Sequence, residues 1–349
     1  MKRTTLLGAA LICTLAAPAL AQDCPPAPEP VLSLAYGSRY TDDSASRSDI
    51  DAKGDAEADD ALRPVDDFLR DLTETANGVF DPEADAAAIA DCVTGRIATW
   101  ARANALADLQ SETSNLTIGS RIAGFGLVLL QVQPHAPADA SADADASADA
   151  GVARDWLAGL MQTQMQFWEE DAPDGARQGN LRAWAAMAAA TTAALRDDPV
   201  MRGWAAWSAS YILCKAGADG SLPQEMKRGK YALKYQLHAI APLVVAVRLL
   251  EQQGIPLAAQ CDGALGRIVG FAVADLASGA TTAGITGKDQ SFFDGTDELE
   301  GFHLAWLEAY LQLDGIPDRA TLEALAEKYR PLTFSKLGGN QTLLWPAPH

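Results

Sequence analysis

Apolar residues recur at helical spacing along almost the whole chain, and nothing else in the sequence constrains the fold as strongly. Leu62, Val65, Leu69 and Leu72 share one face, with Gly78 placed to stop the helix, and Ile89, Val93, Ile97, Trp100 and Ala103 share the next. Similar stretches follow near 117–133, 150–170, 176–196, 201–216, 226–252, 259–279, 296–313 and 318–328. No run of alternating apolar and polar residues competes with them. The spacing therefore predicts an all-α fold, either a stack of bundles or a ring of helical hairpins.

The two ends of the chain read differently. Residues 1–21, MKRTTLLGAALICTLAAPALA, carry two basic residues, an apolar stretch from Leu6 to Ala17 and a small-residue site at Ala19–Ala21. That is the pattern of a signal peptide cleaved after Ala21, and it predicts a periplasmic or secreted protein. Ile12 before Cys13 argues against a lipoprotein anchor, and no later apolar run reaches the length of a membrane span, so none is expected. Four cysteines remain after the signal, Cys24, Cys92, Cys214 and Cys261, an even set that predicts two disulfides in an oxidising compartment and allows three pairings. The histidines are scattered and no CxxC pair occurs, so no structural metal and no cofactor is expected. A net charge of -19 excludes a nucleic-acid binder with a basic face. An acidic chain that binds a polyanion needs a local basic lining, and Lys227, Arg228, Lys230 and Lys234 form the densest basic cluster.

Residues 22–60 lack a helical period and read as an extended segment and a long loop, after which residues 61–349 read as one domain. Arg39, Tyr40 and Arg47 lie in that loop, an aromatic and two cations suited to closing over a ligand; the bland alternative is a surface loop. The tract HAPADASADADASADAG at 135–151 cannot bury apolar surface, so 136–150 reads as a disordered loop. It lacks the glycine and closing glutamate of a calcium loop.

Two stretches carry chemistry. Between Asp219 and Pro242 a turn leads into a helix on which Arg228, Tyr231, Tyr235 and His238 fall at i, i+3, i+7 and i+10 and so share a face. Packed tyrosines and solvated cations are the plain structural reading of such a face. In the second, QGNLRAWAA at 178–186, Asn180 and Arg182 stand at the start of an apolar helix, where amides and the helix end favour negative charge. Trp184 follows them, and tryptophans here either stack on sugars or fill the core.

These residues resemble the alginate lyases, in particular the poly(β-D-mannuronate) lyases of polysaccharide lyase family five. The family's motifs are Asn-Asn-His-x-Tyr-Trp and a helix with Arg-Gly-x6-Tyr. Asp219-Gly220-Ser221-Leu222-Pro223, Glu225, Arg228-Gly229, Ala232-Leu233, Tyr235 and Pro242 match in register. So do Cys24 with its proline-rich start, Ser38-Arg39-Tyr40, Arg47, Cys92 with Trp100-Ala101-Arg102, Ala305-Trp306-Leu307-Glu308 and Leu337-Gly338-Gly339. The resemblance implies an (α/α) toroid, an incomplete barrel of helical hairpins around a central cleft, that cleaves an anionic uronate polysaccharide by β-elimination. By position, Asn180 and Arg228 would neutralise the C6 carboxylate, Tyr235 would take the C5 proton and protonate O4, and Arg39 and Tyr40 would close a lid. Arg47, Arg182, Trp184, Lys227, Lys234 and His238 complete the expected substrate-binding set. Cys24–Cys92 is the favoured disulfide, since both lie in the family-like N-terminal region, which leaves Cys214–Cys261.

The sequence departs from the first motif, with Leu181 in place of the histidine and Ala183 in place of the tyrosine. Leucine neither donates nor accepts a proton. Mannuronate and glucuronate carry the C5 hydrogen and O4 on the same side, so one tyrosine serves both as base and as acid; guluronate needs groups on opposite faces. The residues that remain fit syn elimination from a mannuronate- or glucuronate-type polymer, with Arg182 or His238 standing in for part of the histidine. The other expectation that Leu181 permits is a non-catalytic polysaccharide-binding protein of an exopolysaccharide export system, and envelope export machinery is the further partner considered.

Overall fold

The computed structural model describes residues 24–136 and 144–346; residues 1–23, which include the expected signal peptide and its cleavage site, residues 137–143 of the acidic tract and residues 347–349 lie outside them. Among the described residues nine longer helices carry the fold: α1 (Ala52–Asn77), α2 (Ala86–Arg102), α3 (Gly119–Val132), α4 (Ala144–Glu170), α5 (Asn180–Arg196), α6 (Pro199–Leu213), α7 (Ala232–Gln252), α8 (Gln260–Asp275) and α9 (Arg319–Tyr329). Four two-residue strands make two small pairs, Ser33–Leu34 parallel to Asp108–Leu109 and Thr333–Phe334 antiparallel to Gly339–Asn340.

Small side chains set the centre. Helix α5 is built largely of alanine and packs on α3, α6 and α7 together. A side chain at Gly126 of α3 would meet Thr191 Cγ2 at 2.6 Å, so glycine there lets the two helices close up. Asp197, left-handed at φ 50°, and Asp198, which accepts the Val200 and Met201 N–H groups, turn the chain from α5 into α6. Trp100, Phe68, Phe125 and Trp156 pack ring on ring beneath α1, α2 and α3.

Several boundaries differ from the sequence expectation. Helix α1 begins at Ala52, inside the stretch expected to be loop to residue 60, because Asp51 caps it by accepting the Lys53 N–H. The tract expected to be disordered over 136–150 is helical from Ala144, and Asp149 pairs with Arg102. Its alanines favour helix once α2 supplies a surface. Two stretches, Glu112–His135 and Gly229–Gln252, are long and apolar enough to cross a membrane by composition, contrary to the expectation that none is; 78% of each is buried inside the fold. Both disulfides pair as the resemblance implied, Cys24 with Cys92 and Cys214 with Cys261, at Cα separations of 5.5 and 5.3 Å.

Candidate active site

One cleft of about 590 Å³ collects residues from the N-terminal loop, Leu62 in the middle of α1, residues 112–121, the α4–α5 turn, the first turns of α5 and α7 and Lys336. That volume suits a ligand of a few rings. Its roof is the 35–50 loop. The loop is closed on itself by the Tyr40–Ile50 bridge and by Ser44, whose hydroxyl bonds the Asp49 carboxylate. It seats on α1 at Gly54, where any side chain would come within 2.5 Å of the Ser38 carbonyl oxygen.

The floor is the start of α7. The helix begins only at Ala232, after a tight turn at Gly229–Tyr231 in which Gly229 has φ +56°, so Arg228 is not on the helix as its spacing implied. The turn still folds its guanidinium over the Tyr235 ring, 3.7 Å from the centroid, and 4.9 Å from that of Tyr40. An Arg228 N–H donates to the Arg47 carbonyl at 2.9 Å, which ties roof to floor. The Tyr40 and Tyr235 hydroxyls share a hydrogen bond. Burial pushes the Tyr235 phenol well above its ordinary range; Arg228 opposes the shift and Tyr40 adds to it. Sequence spacing shows the arginine beside this phenol but not the burial, which is the larger effect.

Asn180 opens α5 and lines the same cleft. Its backbone N–H and its Nδ2 both donate to Glu225, at 2.7 and 2.9 Å. Glu225 is fully buried, and burial raises its carboxyl against the lowering effect of Asn180 and Arg228. The Asn180 amide is thereby fixed in orientation, with its Oδ1 buried and unpartnered among the described residues. Trp184 lies one turn on and donates from Nε1 to His238 Nε2 at 2.9 Å, which places the imidazole proton on Nδ1. Burial, and then nearby Lys336, hold His238 down to about 3, so it is neutral. Leu181 lines the cleft on the same side and packs against Trp168, Ala172 and Ala185.

Thus Arg39, Tyr40, Arg47, Asn180, Trp184, Arg228, Tyr235 and His238 meet in one place. Arg39 is spoken for by Asp55 and Asp59, at 2.5 and 2.7 Å. Three expected residues are elsewhere. Arg182 is a helical step of about 100° from Leu181, and that turn takes it behind the wall, where it is buried against Glu169, Ser208 and Trp207. Lys227 is exposed and bonds Gln224. Lys234 pairs with Asp297 at 2.8 Å and lines an adjoining recess with Phe302, His303 and Phe334. Tyr231 packs, as its spacing allowed.

Sequence reading missed two cleft cations. Arg121 makes a two-pronged pair with Asp66 at 2.8 and 2.7 Å. Lys336 stands 3.8 Å from the same carboxylate, and burial with Arg121 nearby lowers it to about 8. A charge inside the apolar stretch at 117–133 was the one available signal for Arg121; Lys336 had only its place beside Leu337-Gly338-Gly339.

A family model described as alginate lyase matches residues 37–282. An alginate lyase of Pseudomonas paraeruginosa is 27% identical over 326 residues, covering 92% of this chain and 85% of the relative. One from Pseudomonas syringae pv. tomato is 26% identical over 332 residues, covering 93% and 84%. Among solved structures, a histidine-to-alanine variant of alginate lyase A1-III complexed with a tetrasaccharide superposes with a TM-score of 0.76 at 19% identity, covering 94% of this chain and 87% of that one. The fold is the (α/α) toroid expected from the sequence.

Proposed function

The chain belongs to the alginate lyase family and is a polysaccharide lyase, and we propose that it cleaves a mannuronate- or glucuronate-type polymer by syn β-elimination, leaving 4,5-unsaturated uronate ends. The observation that carries this reading is Arg228 seated on Tyr235 in one cleft with an Asn180 amide that Glu225 holds in place. Arg228 and the second Nδ2 hydrogen of Asn180 bind the C6 carboxylate of the substrate and take up the charge that develops there as C5 is deprotonated.

The Tyr235 phenolate removes the C5 proton. The electron pair forms the C4=C5 bond, the C4–O4 bond breaks, and the phenol returns its proton to O4, which regenerates the phenolate. Burial and the Tyr40 hydroxyl both hold Tyr235 protonated. A sugar that displaces Tyr40 removes one of these, and Arg228 then favours the phenolate. Retention of a single proton-transfer tyrosine, with Leu181 in the wall, favours the syn geometry over guluronate, which needs groups on both faces.

The two disulfides fit an oxidising compartment, so the proposed setting is the periplasm or the medium, where polymer leaves the envelope through export machinery. Absorbance of unsaturated uronate across polymannuronate, polyguluronate and glucuronan tests the reading. Product is expected from the first or third polymer, and Tyr235→Phe is expected to lower turnover by about 10²–10⁴ while polymer binding survives. A variant that kept near wild-type turnover would remove Tyr235 from the proton path. Leu181 supports one other reading, a cleft that binds without turnover; binding with no product from any of the three polymers would establish it.

A further inference from the structure

The residues that bury Arg182 form a surface that the cleft does not use. Trp204, Trp207 and Tyr211 fall at i, i+3 and i+7 on α6, and Lys215 follows just past its end, a stripe of roughly 17 Å at 1.5 Å per residue. Arg182 lies beneath all three rings, 5.3, 4.3 and 5.7 Å from their centroids, and is itself buried. Glu169 accepts from both Arg182 and the Trp204 indole, at 2.6 and 2.7 Å. The rings are therefore fixed from below. Trp207 and Tyr211 are stacked at 5.7 Å with 26° between their planes, and Trp207 is 50% exposed. Lys215 Nζ lies 4.7 Å from the Tyr211 ring.

We propose that this stripe is a second, non-catalytic binding platform for an acidic polysaccharide. A half-exposed indole that is already immobilised loses little side-chain freedom when a sugar ring stacks on it. Lys215 then supplies the charge that a uronate carboxylate requires on a chain that is otherwise strongly acidic. The exposed part of Glu169 is neutralised by Arg182, so it does not oppose the polymer. Position argues the same way. Leu181 and Ala176, which line the cleft, and Trp204, which starts the stripe, pack against one small cluster of Trp168, Ala172 and Ala185, so cleft and platform lie on two sides of the same wall. A long chain held at both gains effective concentration; a short oligosaccharide does not.

The inference rests on the acidic-polysaccharide reading but not on turnover, and binding measured in a Tyr235→Phe background separates the two. Affinity electrophoresis through gels containing polymannuronate or glucuronan is expected to show about tenfold weaker binding for Trp207→Ala and clear weakening for Lys215→Glu, with Trp207→Phe close to the parent. In the protein with Tyr235 intact, Trp207→Ala should leave turnover of a mannuronate tetrasaccharide unchanged, which also shows that the fold survives. Unchanged polymer binding by Trp207→Ala and Lys215→Glu overturns the proposal, as does a parent that binds neither polymer. An equal loss on the tetrasaccharide would trace the effect to the cleft. If sedimentation shows a dimer that Trp207→Ala dissociates, the face belongs to a second copy of the chain. Absence of product from wild-type enzyme, with the Trp207 effect on binding intact, removes only the lyase reading.

Discussion

Lys336 is the cleft cation whose charge changes within an ordinary pH range. Arg121 already occupies Asp66 bidentately, so Lys336 is left with a looser 3.8 Å contact and faces the substrate with a proton held only to about pH 8. Its pKa is lowered, so the cation is complete well below pH 8 and is lost as pH rises through that value. KM for polymannuronate should therefore climb above pH 8, and Lys336→Arg should flatten the climb, since arginine stays charged; a climb that persisted in the arginine variant would exclude Lys336. Over the same range kcat should rise, because the Tyr235 phenol is pushed upward and its basic form grows with pH. Leu181 is the other residue with a sharp expectation. It lines the cleft against an apolar cluster, so Leu181→His costs some packing and supplies a titratable group where none exists. Turnover of polymannuronate should rise by tenfold or more, toward the low end of what a positioned acid or base contributes. Loss of activity in a folded variant would mean that the leucine wall is part of a specificity already shifted away from mannuronate.

At the scale of elements, the start of α7 decides where Arg228 and Tyr235 stand, and Gln290 holds that start. It is 2% exposed; its Oε1 accepts the Leu233 N–H at 2.9 Å, and its Nε2 donates to the Gly229 carbonyl at 3.2 Å and the Lys288 carbonyl at 2.8 Å. Gln290→Ala would orphan a first-turn N–H and release the turn that carries Arg228. A stability loss of about 1–3 kcal/mol is expected, together with a fall in kcat larger than the change in KM. Denaturant melts beside steady-state kinetics would show this; normal kcat at reduced stability would confine Gln290 to the fold. This clamp also marks the limit of what the sequence discloses. Apolar spacing exposed the helices, because Leu62 to Leu72 or Ile89 to Trp100 repeat at 3.6 residues, and register with a family disclosed Tyr235, Arg228 and Asn180. Spacing could not disclose that Gly229 breaks the helix at φ +56° and yet delivers Arg228 to the same ring, nor that Asp51 starts α1 early. Arg182 was misplaced because adjacency in sequence is a 100° turn on a helix, and Lys336 was missed because its cleft neighbours are hundreds of residues away.

Across the whole molecule two opposite fields act on an anionic polymer. The chain carries a net charge of -19, whereas the cleft gathers Arg39, Arg47, Arg121, Arg228 and Lys336, with Asp55, Asp59 and Asp66 answering two of them closely. The first field is long-ranged and repulsive; the second is short-ranged and attractive. Salt separates them by distance. The Debye length falls from about 30 Å at 0.01 M to about 8 Å at 0.15 M, so moderate salt removes the repulsion met on approach and leaves partly buried contacts largely intact. Further salt then screens the contacts themselves. The kcat/KM for a long uronate polymer should therefore pass through a maximum with ionic strength, and Lys336→Met should lower the maximum without moving the rising limb, which belongs to the overall charge. A monotonic fall from the lowest salt would mean that the cleft cations govern the approach as well as the contact, and that the acidic exterior faces away from the path the polymer takes.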